Sequence, residues 1–128
     1  MMNKAESLKK SRDLLLKLHK ALVDFERESY VSFNGQVTPG QFLNQLLDNP
    51  GLSWLRKFST LIVDIDEMFA QKDGFTDAAV EAHLSTAKRL VLMDESEGDF
   101  KSKYQMALQG DADAASLHAE LKRELESK

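Results

Sequence analysis

The sequence predicts an all-α fold: a helical bundle of five to six helices, with a long first helix and a central helix at about 52–71. Three observations predict it. Only two prolines and six glycines interrupt 128 residues, and most of them fall where the apolar periodicity breaks. Apolar residues recur at three, four and seven positions through nearly every segment between those breaks, the spacing of a helix with one buried face. Strict alternation over four or more residues is missing. The one β-like hexamer, Thr60-Leu61-Ile62-Val63-Asp64-Ile65, lies inside the strongest helical stripe.

The first helix reads from about 7 to 33. Leu8, Leu15 and Leu22 repeat every seven residues, and Leu18 and Phe25 interleave with them to make one seam. Ser11 and Ser29 fall in the same seam and weaken it at both ends. Asn34-Gly35 supplies the left-handed residue that stops a helix. The clearest start signal follows at Val37-Thr38-Pro39-Gly40-Gln41. Thr38 can cap, Pro39 suits the first helical position, and Gln41 stands where a capping-box partner belongs. The short helix behind it presents Phe42, Leu43, Leu46 and Leu47, and Asp48-Asn49-Pro50-Gly51 ends it.

The helix at about 52–71 carries Trp54, Leu55, Phe58, Leu61, Ile62, Ile65, Met68 and Phe69 in one stripe, with Arg56, Lys57, Thr60, Asp64 and Glu67 opposite. Lys72-Asp73-Gly74 breaks it. Thr76 or Asp77 caps a fourth helix running to about Met93, with Val80, Leu84, Ala87 and Val91 as its seam. Residues 99–109 form a fifth helix around Phe100, Tyr104, Ala107 and Leu108, which Gly110 stops. Asp111 or Asp113 starts the last, with Ala114, Leu117, His118, Leu121 and Leu125 inward. No linker or repeat divides the chain, so residues 1–128 read as a single domain, with the acidic stretch 94–99 as a possible hinge before the last two helices.

Composition narrows the function classes. Apolar residues make up 42% and charged residues 30% of the chain, enough for one core without staples. There is no cysteine, which excludes disulfides, thiolate catalysis and cysteine metal sites. Seventeen basic against 21 acidic side chains leave a net charge of −4, so the chain lacks the basic field that nucleic-acid binding needs. No apolar run approaches a membrane span, and Met1-Met2-Asn3-Lys4-Ala5-Glu6 leads into no secretory signal. The expected compartment is the cytoplasm, with no nucleic-acid or membrane partner.

The block Phe42-Leu43, Asp48-Asn49-Pro50, Trp54-Leu55-Arg56, Ser59, Leu61-Ile62-Val63 and Ile65-Asp66-Glu67, preceded by His19 and Tyr30, is similar to a group of small uncharacterised bacterial helical proteins. Those proteins share a proline-containing turn, a Trp-Leu pair and an Ile-Asp-Glu run after a long first helix. The resemblance covers about residues 18–68. It implies a bacterial helical bundle and carries over no activity.

Motifs that carry chemistry are few. Glu-x-x-His pairs, which hold di-iron centres in bundles, do not occur: Leu16, Val80 and Ala115 stand three residues before His19, His83 and His118. Asp111-Ala112-Asp113 begins like a calcium loop, but Ala115 and Lys122 occupy positions that need oxygen ligands. No phosphate-cradling glycine loop or nucleophile elbow occurs. Neither a metal nor a cofactor is expected.

Four residues make the candidate ligand site: His19, Tyr30, Trp54 and Asp66. His19 lies at the edge of the first seam, where Glu26 could orient it as a proton carrier or where it could simply sit half exposed. Asp66 borders the central stripe and needs a partner to be buried: Ser59, Arg56, Trp54 or a group on the first helix. It either orients His19 or Tyr30 in a small pocket, or serves as an interhelical salt bridge or a solvated border acid. Trp54 is a core anchor, or, beside Phe42 and Tyr30, part of a groove. His118 and His83 read as packing or surface residues. A separate candidate interface is the seam Leu117, Leu121 and Leu125 of the last helix, to be covered either by the first helix or by a second chain, making the protein a possible homodimer. The sequence therefore supports two functions. One is a non-enzymatic protein-interaction or scaffold module, able to self-associate. The other is a small-molecule-binding or enzymatic bundle with a pocket between the first and third helices.

Overall fold

A computed structural model describes residues 3–93 and 98–126. It is all-α, and no strand occurs among the described residues. Helix α1, Lys4–Asn34, begins four residues before Leu8 opens the apolar seam, because the Asn3 side chain caps it: Asn3 Oδ1 accepts from the Glu6 N–H at 2.8 Å. It ends as expected at Gly35, whose φ of +83° is the region glycine adopts without strain. Its N–H still donates to the Val31 carbonyl.

Helix α2, Pro39–Asp48, starts on the predicted capping box. The Gln41 N–H donates to Thr38 Oγ1 at 3.1 Å, and the Thr38 N–H donates to Gln41 Oε1 at 2.8 Å. Thr38→Ala frees one of these donors and should lower stability by about 1 kcal/mol, measurable as a shift in urea midpoint at constant slope.

The helix expected at 52–71 is built in two parts, a 3-10 segment over Pro50–Leu55 and then α3, Arg56–Phe69. Pro50 and the Asn49 side chain, which accepts from the Gly51 N–H, tighten the first turns. At three residues per turn, Leu52 and Leu55 point the same way, and both are buried with Trp54. Helix α4, Asp77–Val91, is capped by Thr76. Helices α5, Gly98–Gly110, and α6, Ala112–Glu126, follow with one residue between them. The hinge expected at 94–99 falls mainly on 94–97, outside the described residues.

Helix α1 is the element on which the others assemble. It packs along α6 most extensively, and also against α3, α4, α5 and the 3-10 segment, while α3 pairs with α4 and α4 with α6. One apolar core results, containing Leu8, Leu15, Leu18 and Leu22 of α1 together with Phe58 and Ile65 of α3, Val80 and Val91 of α4, and Leu121 and Leu125 of α6. Ser7 and Ser11 are fully buried on α1, and their hydroxyls make no hydrogen bond among the described residues. Ser11 lies in the seam as expected and costs it apolar contact, whereas Ser29, expected there too, is only partly buried.

Gly110 breaks α5 from α6 for a reason the sequence did not show. It needs no positive φ; a Cβ there would stand 2.5 Å from Cε1 of Phe25, so the α1 ring rests directly on the glycine backbone. Gly110→Ala should therefore cost about 1–3 kcal/mol through overpacking, despite alanine's better helix propensity. Thermal denaturation of the variant checks the sign.

Candidate functional site

The four candidate ligand residues do not form one pocket. Arg12, which binds Asp66, and Tyr30 are eighteen residues apart on α1, about 27 Å at a helical rise. Asp66 takes the ion-pair role. Arg12 Nε and Nη2 donate to its two oxygens at 2.8 Å each, a bidentate strap between α1 and α3. The guanidinium holds the Asp66 carboxyl below the usual carboxylate range. The pair is open to solvent, so it contributes little, on the order of 0.5 kcal/mol.

His19 is half-buried, its ring centroid 6.5 Å from Phe58, and burial pushes its pKa down. Glu26 does not orient it. That carboxyl lies two turns further along α1, is raised by its own burial, and feels the Lys103 ammonium instead. Tyr30 packs its ring 6.0 Å from Phe42 and so helps anchor α2. Trp54 is a core anchor, 4% exposed, surrounded by the rings of Phe58, Phe100 and Tyr104 at 6.1–6.2 Å. Its indole N–H makes no hydrogen bond among the described residues.

The main hollows lie elsewhere. One, about 560 Å³, opens between α1 and the start of α6 and is lined by Lys17, Lys20, Asp24, Glu28, Asp111 and Asp113. A second, about 370 Å³, runs between α3 and α4 over Leu61 and Leu90, with Lys57, Thr60 and Thr86 at its rim. Neither contains any of the four candidates. Among the described residues, no group of three or more histidine or carboxylate side chains could hold a metal ion, and no helix is long and apolar enough to cross a membrane.

The candidate interface is occupied by the chain itself. Leu121 and Leu125 are 0% and 2% exposed, buried in the common core by the packing of α6 on α1 and α4, and Leu117 is partly buried beside them. Within the chain, α1 and α4 together cover this seam.

What the fold does bring together is a different group. Trp54, Phe58, Phe100 and Tyr104 form a contiguous aromatic cluster, and His118 joins it by an edge-on contact to Tyr104, 5.3 Å between centroids. The Tyr104 hydroxyl and His118 Nδ1 are 2.7 Å apart. Sequence reasoning gave both residues to apolar helix faces. A signal was present, since Tyr104 and His118 stand seven residues either side of Asp111, and a chain that folds back there sets them opposite each other.

A second feature was half seen. Helix α2 is held by few groups: Phe42 against Tyr30, Arg27 over the Phe42 ring at 5.8 Å, and Arg56 donating to the carbonyls of Leu46 and Leu47. Leu43 and Leu47, expected on its buried face, are 55% and 59% exposed, because Phe42 and Leu46 alone turn inward. Phe33, at the adjoining end of α1, is also exposed.

No protein-family model, curated protein or solved structure matches the chain.

Proposed function

We propose that this protein is a non-enzymatic interaction module of the cytoplasm that pairs with a second copy of itself through α2 and the end of α1. The observation that supports it is the exposure of Leu43 and Leu47, four residues apart on α2, and of Phe33 at the end of α1, three large apolar side chains left to solvent. Single exposed leucines are ordinary, whereas several at one end of a small domain suit a partner. The choice of a second copy rests on charge. Of the ten residues of α2 only Asp48 is charged, in a chain that is 30% charged. A two-fold interface sets each residue near the axis against its own copy, so a charged face repels itself and a neutral apolar one does not. The face is small, which places the dimer among weak, transient associations.

Sedimentation at increasing protein concentration tests the reading. The parent should shift from monomer toward dimer. The double substitution Leu43→Glu with Leu47→Glu should remain monomeric while keeping the parent's circular dichroism and melting temperature, since both side chains are already in water. A parent that stays monomeric at millimolar concentration rules the dimer out.

A further inference from the structure

Tyr104 has no exposed surface. A phenolic hydroxyl enclosed in that way needs a partner. Its partner is His118 Nδ1, 2.7 Å away, with the two rings at 88°. Tyr104 has no other hydrogen-bond partner among the described residues, so its hydrogen goes to Nδ1 and the neutral imidazole carries its own proton on Nε2. A second proton on the ring would occupy Nδ1. The hydroxyl would then have to turn its oxygen to the imidazolium, stranding its hydrogen among Phe58, Phe100 and Trp54.

Charges of both signs surround the ring, and the one that acts on it directly opposes that second proton. On α6, Lys122 lies one turn from His118 and repels it. From α5 the facing titratable group is Tyr104 itself. From α1, Lys17 and Lys20 border the hollow that Leu117 lines, with Asp24 and Glu28 on the same hollow toward Asp111 and Asp113. From α4, Lys88 stands with Lys122 near Leu125, where Glu126 pairs with Lys122 at 3.8 Å.

We infer that the Tyr104–His118 hydrogen bond is a proton-operated latch, which holds α5 against α6 over the aromatic cluster while His118 is neutral and releases α5 when His118 takes up a proton. Burial and Lys122 both lower the proton affinity of His118 in the closed state. The open state therefore binds more protons. Closure is undiminished above the ordinary histidine range, about pH 6.5, and weakens as pH falls from there toward the lowered folded value. His19 is lowered by burial too and acts in the same direction, so the two histidines must be separated by experiment.

Trp54, the only tryptophan, lies 6.2 Å from Tyr104 and reports on the cluster. Titrating the intact protein from about pH 8 to about pH 4 should shift its emission to longer wavelength in one step. The midpoint should coincide with the titration of the His118 ring protons in the NMR spectrum. His118→Asn keeps an acceptor for the Tyr104 hydroxyl but takes up no proton, and should abolish the step. His19→Gln should retain it. A step that persists in His118→Asn, or that disappears in His19→Gln, overturns the latch, as does a His118 that titrates in the parent with no change at Trp54. Should His118→Asn fail to fold, Tyr104→Phe decides. It removes the bond that favours the neutral ring, so the His118 midpoint must rise, and an unchanged midpoint overturns the proposal.

Discussion

Phe58→Ala should destabilise the protein by about 3–5 kcal/mol, the range for emptying a large buried aromatic site. Phe58 is 0% exposed on α3, and its ring meets those of Trp54, Phe100, Tyr104 and His19. The substitution removes the residue that joins α1, α3 and α5 across the core. The helices around the void are tied by their own caps and pairings, so the site cannot collapse to fill it. Urea denaturation followed by circular dichroism measures the loss. A change under about 1 kcal/mol would place Phe58 outside the core and refute the packing described.

Removing residues 111–128 should have a larger effect still and leave a chain that does not fold cooperatively. Helix α6 buries Ala114, Leu121 and Leu125, and in return it covers the longest stretch of α1. Two fully buried leucines represent roughly 3–6 kcal/mol, and the leucines they uncover a similar amount. The sum, on the order of 10 kcal/mol, is comparable with the whole stability of a domain this size. Loss of most helical circular dichroism at 25 °C is the expected result. A truncated chain that keeps its helices and melts sharply would show α6 to be an appendage.

Helix existence was legible from the positions of glycine, proline and capping residues, because those act locally. Thr38 with Gln41, Thr76, Gly35 and the Pro50 turn all perform in the structure the roles their neighbours implied. Which helix would gather the others was not legible. The stripe on α3 is the strongest, yet α1 touches more elements, because length sets how many neighbours a helix can have. The candidate site was least legible. His19, Tyr30, Trp54 and Asp66 share chemical type but not place: Tyr30 lies eighteen residues along α1 from Arg12, which holds Asp66, and Trp54 is packed in the core. The Arg12–Asp66 strap and the Tyr104–His118 bond both depend on which helix faces which, and a single helix's periodicity carries no information on that. Leu43 and Leu47 were assigned inward for a related reason. A ten-residue helix at the edge of a bundle has too few neighbours to bury four apolar side chains.

The pairing of α1 with α6 also fixes an order of events. Synthesis delivers α1 well before its main partner, with some eighty residues between them, 35 to 111. Until α6 emerges, the Leu8, Leu15 and Leu22 face has only partial cover from α3 and α4. Contacts that close so long a loop are slow to form. Productive folding therefore waits until α6 has emerged, and until then the nascent chain presents an uncovered leucine seam, the kind of surface that chaperones hold.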